Sequence, residues 1–114
     1  MIDAESFAHE WVAAWNARDL DAILAHYADD VVFASPRAQE ITGASRVVGK
    51  TALAAYWRAA LDRSPDLRFE PERVLTGADC MTIVYVRNGI LRVAETFEFE
   101  NGRVVRGYVA HAPL

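Results

Sequence analysis

The sequence predicts an α+β fold: three N-terminal helices packed in a curved antiparallel sheet. Three observations carry this expectation. Apolar residues recur at helical spacing through the first half of the chain and alternate with strand period after Pro65. Asn88-Gly89 and Asn101-Gly102, the two strongest hairpin signals, each sit between strand-like segments. Helices first and a meander after is an α+β arrangement. The length of 114 residues, with 53% hydrophobic and 25% charged content, suits one domain over residues 1–114 and one core.

The first helix is read from Phe7, Trp11, Ala14 and Trp15, with Ala8 and Val12 widening the stripe, and it breaks at Asn16-Ala17-Arg18. Asp19 reads as the N-cap of a second helix with Leu20, Ile23, Leu24 and Tyr27 on one face, ended by Asp29-Asp30. Val31–Ser35 reads as a short strand stopped by Pro36. Residues 37–49 read as mostly loop. Lys50–Arg63 reads as the third helix, with Leu53, Tyr56, Trp57, Ala60 and Leu61 inward, closed by Ser64-Pro65. Leu67–Leu75, Cys80–Arg87, Ile90–Glu100 and Arg103–His111 read as strands.

Composition excludes several roles. The net charge of −4 opposes a nucleic-acid partner, which calls for a basic face. No run of about 18 apolar residues exists, so no transmembrane helix is expected. The opening MIDAESFAHEW lacks the basic stretch of a secretory signal, and the single cysteine, Cys80, has no partner for a disulfide. A cytoplasmic location is the expectation. Cys80 is expected to face inward as a small core residue. No metal site and no cofactor are expected: there is no Cys/His cluster, and Gly49-Lys50-Thr51 alone is not a phosphate loop. His9 and His26 read as solvated helix flanks. Eleven of the twelve basic residues are Arg, which with abundant Ala points to a GC-rich bacterial coding sequence.

Strand alternation places the side chains that carry chemistry. In Ile90–Glu100, Leu91, Val93, Glu95, Phe97 and Phe99 share one face, and that face is the core. Glu95 therefore stands on an apolar face, where a lone carboxylate is costly unless paired, hydrogen-bonded or neutral. It is either the centre of a pocket or a core acid tied to an Arg or a backbone group. A two-residue turn at Asn88-Gly89 puts Thr82 opposite Glu95. A three-residue loop that includes Arg87 instead turns Ile83 and Tyr85 inward, and alternation does not choose between them. For the second hairpin, a three-residue Glu100-Asn101-Gly102 loop keeps Arg106 out of the core and puts Val105, Gly107, Val109 and His111 inward. His111 then faces the cavity of Glu95 or sits at its rim. Trp11, Trp15, Tyr27, Phe33, Ser35, Trp57, Thr82 and Phe97 are candidate walls for an apolar or planar ligand, though helical spacing favours plain core for the aromatics among them. The outer face, with Ile90, Ala94, Thr96 and Tyr108, and Met81, Ile83 and Tyr85 if the first turn has two residues, is apolar enough to predict a homodimer.

The segments VAAWNARDLDAILAHYADDVVFASP, GKTALAAYW and AETFEFENGRVVRGYVAH resemble the SnoaL-like branch of the NTF2-like superfamily, and within it the Δ5-3-ketosteroid isomerases. The similarity runs over nearly the whole chain. It implies an NTF2-like cone, commonly paired through its sheet, and a fold that hosts isomerases, cyclases, hydrolases and non-catalytic modules alike. The isomerases place a carboxylate base before a proline at the end of the first strand, where this chain has Ser35. Their oxyanion tyrosine on the first helix matches Trp11, their neutral acid matches Glu95, and an aromatic near the end of the last strand matches His111. The resemblance thus implies the scaffold without the isomerase reaction. What remains is a small hydrophobic or aromatic ligand and cofactor-free acid–base chemistry by Glu95 and His111, or a non-catalytic binding or association module.

Overall fold

The structure, a computed structural model, describes residues 2–114. Helix α1 (Ala4–Asn16) starts where Asp3 accepts the Ser6 N–H at 3.1 Å, and it buries Phe7, Ala8, Trp11, Val12 and Trp15 as the stripe requires. Asn16 does more than end it. Its side chain donates to the Phe69 carbonyl at 3.0 Å and accepts the Phe69 N–H at 2.8 Å, tying the helix end to the first strand of the meander. Arg18 turns back to donate to the carbonyls of Ser64 and Leu61 at the end of a later helix, at 2.7 and 2.6 Å.

Helix α2 (Leu20–Leu24) is capped by Asp19 as expected but is only five residues long. Tyr27 and Asp29-Asp30 belong to strand β1 (Tyr27–Ala34), which corrects the reading of those acids as a helix terminus. Both aspartates are exposed, in the stretch where β1 breaks register with its neighbour between Tyr27 and Val32. The loop expected over 37–49 is likewise corrected. It holds α3 (Pro36–Thr42) and β2 (Arg46–Val48), so the described residues form four helices. Helix α3 uses Ser35 as N-cap and Pro36 in its first turn, and ends on Gly43 at φ 83°, the left-handed stop that glycine supplies. Helix α4 (Lys50–Arg63) matches the expected span and follows Gly49, whose φ of 90° lets its N–H reach the Val31 carbonyl at 2.7 Å.

The meander is β3 (Phe69–Thr76), β4 (Cys80–Arg87), β5 (Leu91–Glu100) and β6 (Arg103–Pro113). The six strands form one curved, unclosed sheet in the order β2-β1-β6-β5-β4-β3. All pairs are antiparallel except β1 with β6, a parallel pair that the expected meander did not include. Helix α1 packs on β3, and α4 packs on β1 and β2, against the concave face. Between them lies an aromatic core: Phe7 and Trp11 meet Phe97 edge-on at 5.0 and 5.2 Å, and Trp57 meets Trp15 and Tyr27 at 5.2 and 5.0 Å. Among the described residues no helix is long and apolar enough to cross a membrane.

Candidate functional site

The site is set by the alternation of β5. Val93, Glu95, Phe97 and Phe99 are buried on the concave face, while Arg92, Ala94, Thr96 and Glu98 point outward. The register of β4 decides what faces Glu95. Asn88 and Gly89 do adopt left-handed turn conformations (φ 54° and 70°), and the Ile90 N–H closes the turn on the Arg87 carbonyl at 3.1 Å. Ile90 is nevertheless left over as an extra residue, and the ladder pairs Arg87 with Leu91. The two-residue pairing is therefore corrected. Ile83 lies opposite Glu95, Tyr85 opposite Val93, and Met81, Ile83 and Tyr85 are core residues, not outer-face residues. The same slip moves two further positions. Thr82 lies on the outer face, sharing a 2.8 Å hydroxyl hydrogen bond with Thr96, and Cys80 is exposed.

The second hairpin turns three of its four expected residues inward, by a different route. Asn101-Gly102 is a two-residue turn, Glu100 pairs with Arg103, and a bulge after Phe99 absorbs Val105. Gly107, Val109 and His111 then face Phe97, Glu95 and Val93, Val104 replaces Val105 in the core, and Arg106 stays outside.

Glu95 is buried, and its one hydrogen-bond donor is the Tyr85 hydroxyl, 2.8 Å from Oε1. No cation pairs with it: the ion pairs among the described residues are Arg92–Glu72, Arg106–Glu98 and Arg106–Glu100. Burial pushes its pKa up to about 8, against the smaller opposing pull of the Tyr85 hydroxyl. At neutral pH Glu95 is therefore mostly a neutral acid. Its other oxygen, Oε2, has no partner in the protein and yet is not sealed off. The phenols around it are held protonated: burial, then the Glu95 carboxyl, raises the pKa of Tyr85 and of Tyr27.

Glu95 lines a small, partly open cavity of about 50 Å³. The structure brings Trp15, Phe33, Ser35, Trp57 and His111 to its wall with Glu95. It leaves Trp11, Tyr27 and Phe97 in the core beneath. The Trp11 indole donates to the Tyr27 hydroxyl at 3.0 Å, and Phe97 is sealed under Phe7 and Trp11. Ser35 caps α3 by accepting the Arg37 N–H at 3.2 Å. His111 is exposed at the rim and makes no hydrogen bond to Glu95. His26, expected in solvent, is half-buried on the edge of Phe7 at 4.9 Å, and burial lowers its pKa.

Sequence reasoning missed Tyr56, Phe69, Tyr85, Arg37 and Arg87 as lining residues. Tyr56 was legible as inward on its helix, and Tyr85 followed from the three-residue reading of the first hairpin. A wall residue of special interest is Trp15, whose buried indole N–H has no acceptor in the protein. A larger hollow, about 470 Å³, lies between the start of α1 and the β3–β4 and β5–β6 turns. No buried titratable side chain lines it, whereas the buried Glu95 lines the smaller cavity.

The family model for the SnoaL-like domain matches residues 8–107. The chain is similar to a SnoaL-like protein of unknown function from Burkholderia thailandensis, at 42% identity over 98% of each chain with a TM-score of 0.91. It also resembles an NTF2-like protein of unknown function from Burkholderia pseudomallei, at 22% identity over 98% of this chain and 92% of the other, TM-score 0.80. A candidate polyketide cyclase from Sinorhizobium meliloti aligns at 20% identity over 92% of this chain and 94% of the other, TM-score 0.78. The last two likenesses speak for the fold alone. Among functionally curated proteins none matches this chain in sequence.

Proposed function

This chain belongs to the SnoaL-like domain family, and on that premise we propose that it binds a small hydrophobic or aromatic molecule carrying an oxygen, and exchanges a proton with it through Glu95. The observation that carries this is the carboxyl itself: buried, with no cation, held at one oxygen by Tyr85 and free at the other. A neutral acid in that position donates a hydrogen bond to a ligand carbonyl or hydroxyl. A pKa near the working pH also suits an acid that must give up its proton and take it back. No cofactor enters this reading.

The size of the cavity narrows the ligand. The cavity beside Glu95 is small, about 50 Å³, so a polycyclic ligand fits less well than a single ring. A serine at position 35, where a ketosteroid isomerase has its base, argues further against steroid turnover.

The test is titration with 4-nitrophenol, whose absorbance reports the state of its oxygen. Glu95→Gln and Glu95→Leu should each weaken binding about tenfold or more, the worth of a charge-assisted hydrogen bond. Equal affinity in all three proteins overturns the proposal. A second reading, binding without turnover, is favoured by one observation: His111 makes no contact with Glu95, so no second base is engaged. Deuterium exchange next to the carbonyl of acetophenone in D2O separates the two. Enzyme-dependent exchange lost in Glu95→Gln supports catalysis, and its absence with intact 4-nitrophenol binding supports the passive module.

A further inference from the structure

Two arginines flank the cavity that leads to Glu95. Arg37 lies in the first turn of α3 and Arg87 closes β4, and both line that cavity while half-buried. Neither has a carboxylate within ion-pair distance among the described residues. Arg37 uses one nitrogen on Ser64 Oγ at 3.0 Å, and the Arg87 guanidinium has no acceptor among the described residues. The pair is electrostatically uncomfortable. Burial, and then the charge of Arg37, lowers the pKa of Arg87, with Tyr85, Tyr56 and the exposed Glu40 weaker counterweights in that order.

Two like charges sharing one partly buried mouth destabilise the empty protein, and the arrangement becomes favourable when a planar anion bridges the two forks. A second, independent observation lies on the same wall: the Trp15 indole N–H, buried and without an acceptor. Both features ask for ligand oxygens, at different depths. Arg87 and Ile83, the residue opposite Glu95, are four positions apart on β4, about 13 Å of strand.

We propose that the ligand is a single-ring aromatic carboxylate, its carboxylate seated between Arg37 and Arg87 and its far oxygen directed to Trp15 and Glu95. This rests on the reading of the Glu95 cavity as the ligand site. Specificity then divides along the cavity: the arginines select the charge, and the neutral acid selects the oxygen at the other end.

The experiment compares 4-hydroxybenzoate with its neutral isostere 4-hydroxybenzamide by tryptophan fluorescence and calorimetry. The wild-type protein should prefer the carboxylate by about tenfold or more, and the preference should shrink as salt rises. Arg37→Gln and Arg87→Gln should each reduce that preference while raising the melting temperature of the ligand-free protein, because one of two repelling charges is gone. A merely structural arginine would lower it. Arg87→Lys, which keeps charge without the fork, should fall between. Glu95→Gln should weaken both probes alike and leave their ratio unchanged. If both probes bind and depend on Glu95 but show no carboxylate preference, the arginine proposal fails and the Glu95 reading survives. If neither binds at millimolar concentration, or Glu95→Gln changes neither, both fail.

Discussion

Glu95 and Glu98 lie three residues apart on β5, on opposite faces of one sheet. On the outer face Glu98 accepts two hydrogen bonds from Arg106, at 2.8 and 2.6 Å, and these hold its carboxyl below the usual range. On the inner face Glu95 has a phenol for a partner and no cation, and burial drives its pKa up to about 8. The same side chain is a solvated anion on one face and a neutral acid on the other. The sheet creates this difference by excluding water from one side, and the unpaired carboxyl is what sets the inner face apart from plain core and carries the proposed site.

The largest expected break in this comparison is pH-dependent. The unfolded chain loses the Glu95 proton near 4.5, the folded chain near about 8. Between those values the folded state holds a proton that the unfolded state has released, so stability falls as pH rises through the window and levels off above it. Glu95→Gln should abolish that fall. Relative to wild type it should gain roughly 3 to 5 kcal/mol between pH 4.5 and 8, an upper range for a fully buried group. Urea titrations at several pH values check this, and parallel curves for the two proteins would count against it. Glu98 runs in the opposite sense. Its contribution is present above the ordinary carboxylate pKa and is lost as pH falls through its depressed value.

Tyr85→Phe sharpens the comparison from the partner's side. It removes the one donor to Glu95 and leaves Oε1 buried without a hydrogen bond, at an expected cost of about 1 to 3 kcal/mol. Because that hydroxyl pulls the Glu95 pKa down, its loss should raise the pKa further. An unchanged melting temperature together with an unchanged Glu95 titration would contradict the pairing.

The outer face offers a test of association. Leu75, Thr82, Thr96 and Tyr108 form a row across four strands, with Leu75 and Tyr108 exposed at 48% and 42%. A homodimer through this face is the expectation, and Tyr108→Arg should weaken it. Sedimentation at micromolar concentration showing a monomer for the unaltered chain removes the idea. The smallest effect belongs to Glu98→Gln, which should leave the melting temperature nearly unchanged at physiological salt, since exposed ion pairs contribute little. A large loss there would erase the contrast between the faces.

Much of this was legible in the residues. Strand period two places Glu95 inward whatever strand pairs with it, and the stripes of α1 and α4 name their buried residues directly. Register was less legible. Met81, Ile83 and Tyr85 are as apolar as Thr82, Val84 and Val86 taken together, so burial pattern could not choose, and the turn chemistry of Asn88-Gly89 was real but did not account for Ile90. The partner of Glu95 was hidden behind that one-residue slip. Asp29-Asp30 misled because aspartate is rare in strands, while here both side chains stay in water at an irregular stretch of β1. Helix α3 carried its own signals, Ser35 before Pro36 and Gly43 at the stop, over a span too short for periodicity to stand out.

The most direct test of the central claim is the titration of the glutamate side-chain carboxyls by carbon-13 NMR, with Glu95 assigned by its absence from the Glu95→Gln spectrum. The account expects the Glu95 resonance to titrate near pH 8 and that of Glu98 below the ordinary carboxylate range, within one molecule and one experiment. A Glu95 midpoint at or below 4.5 would mean a charged, compensated group on the inner face, and the neutral acid lining the cavity would have to be abandoned.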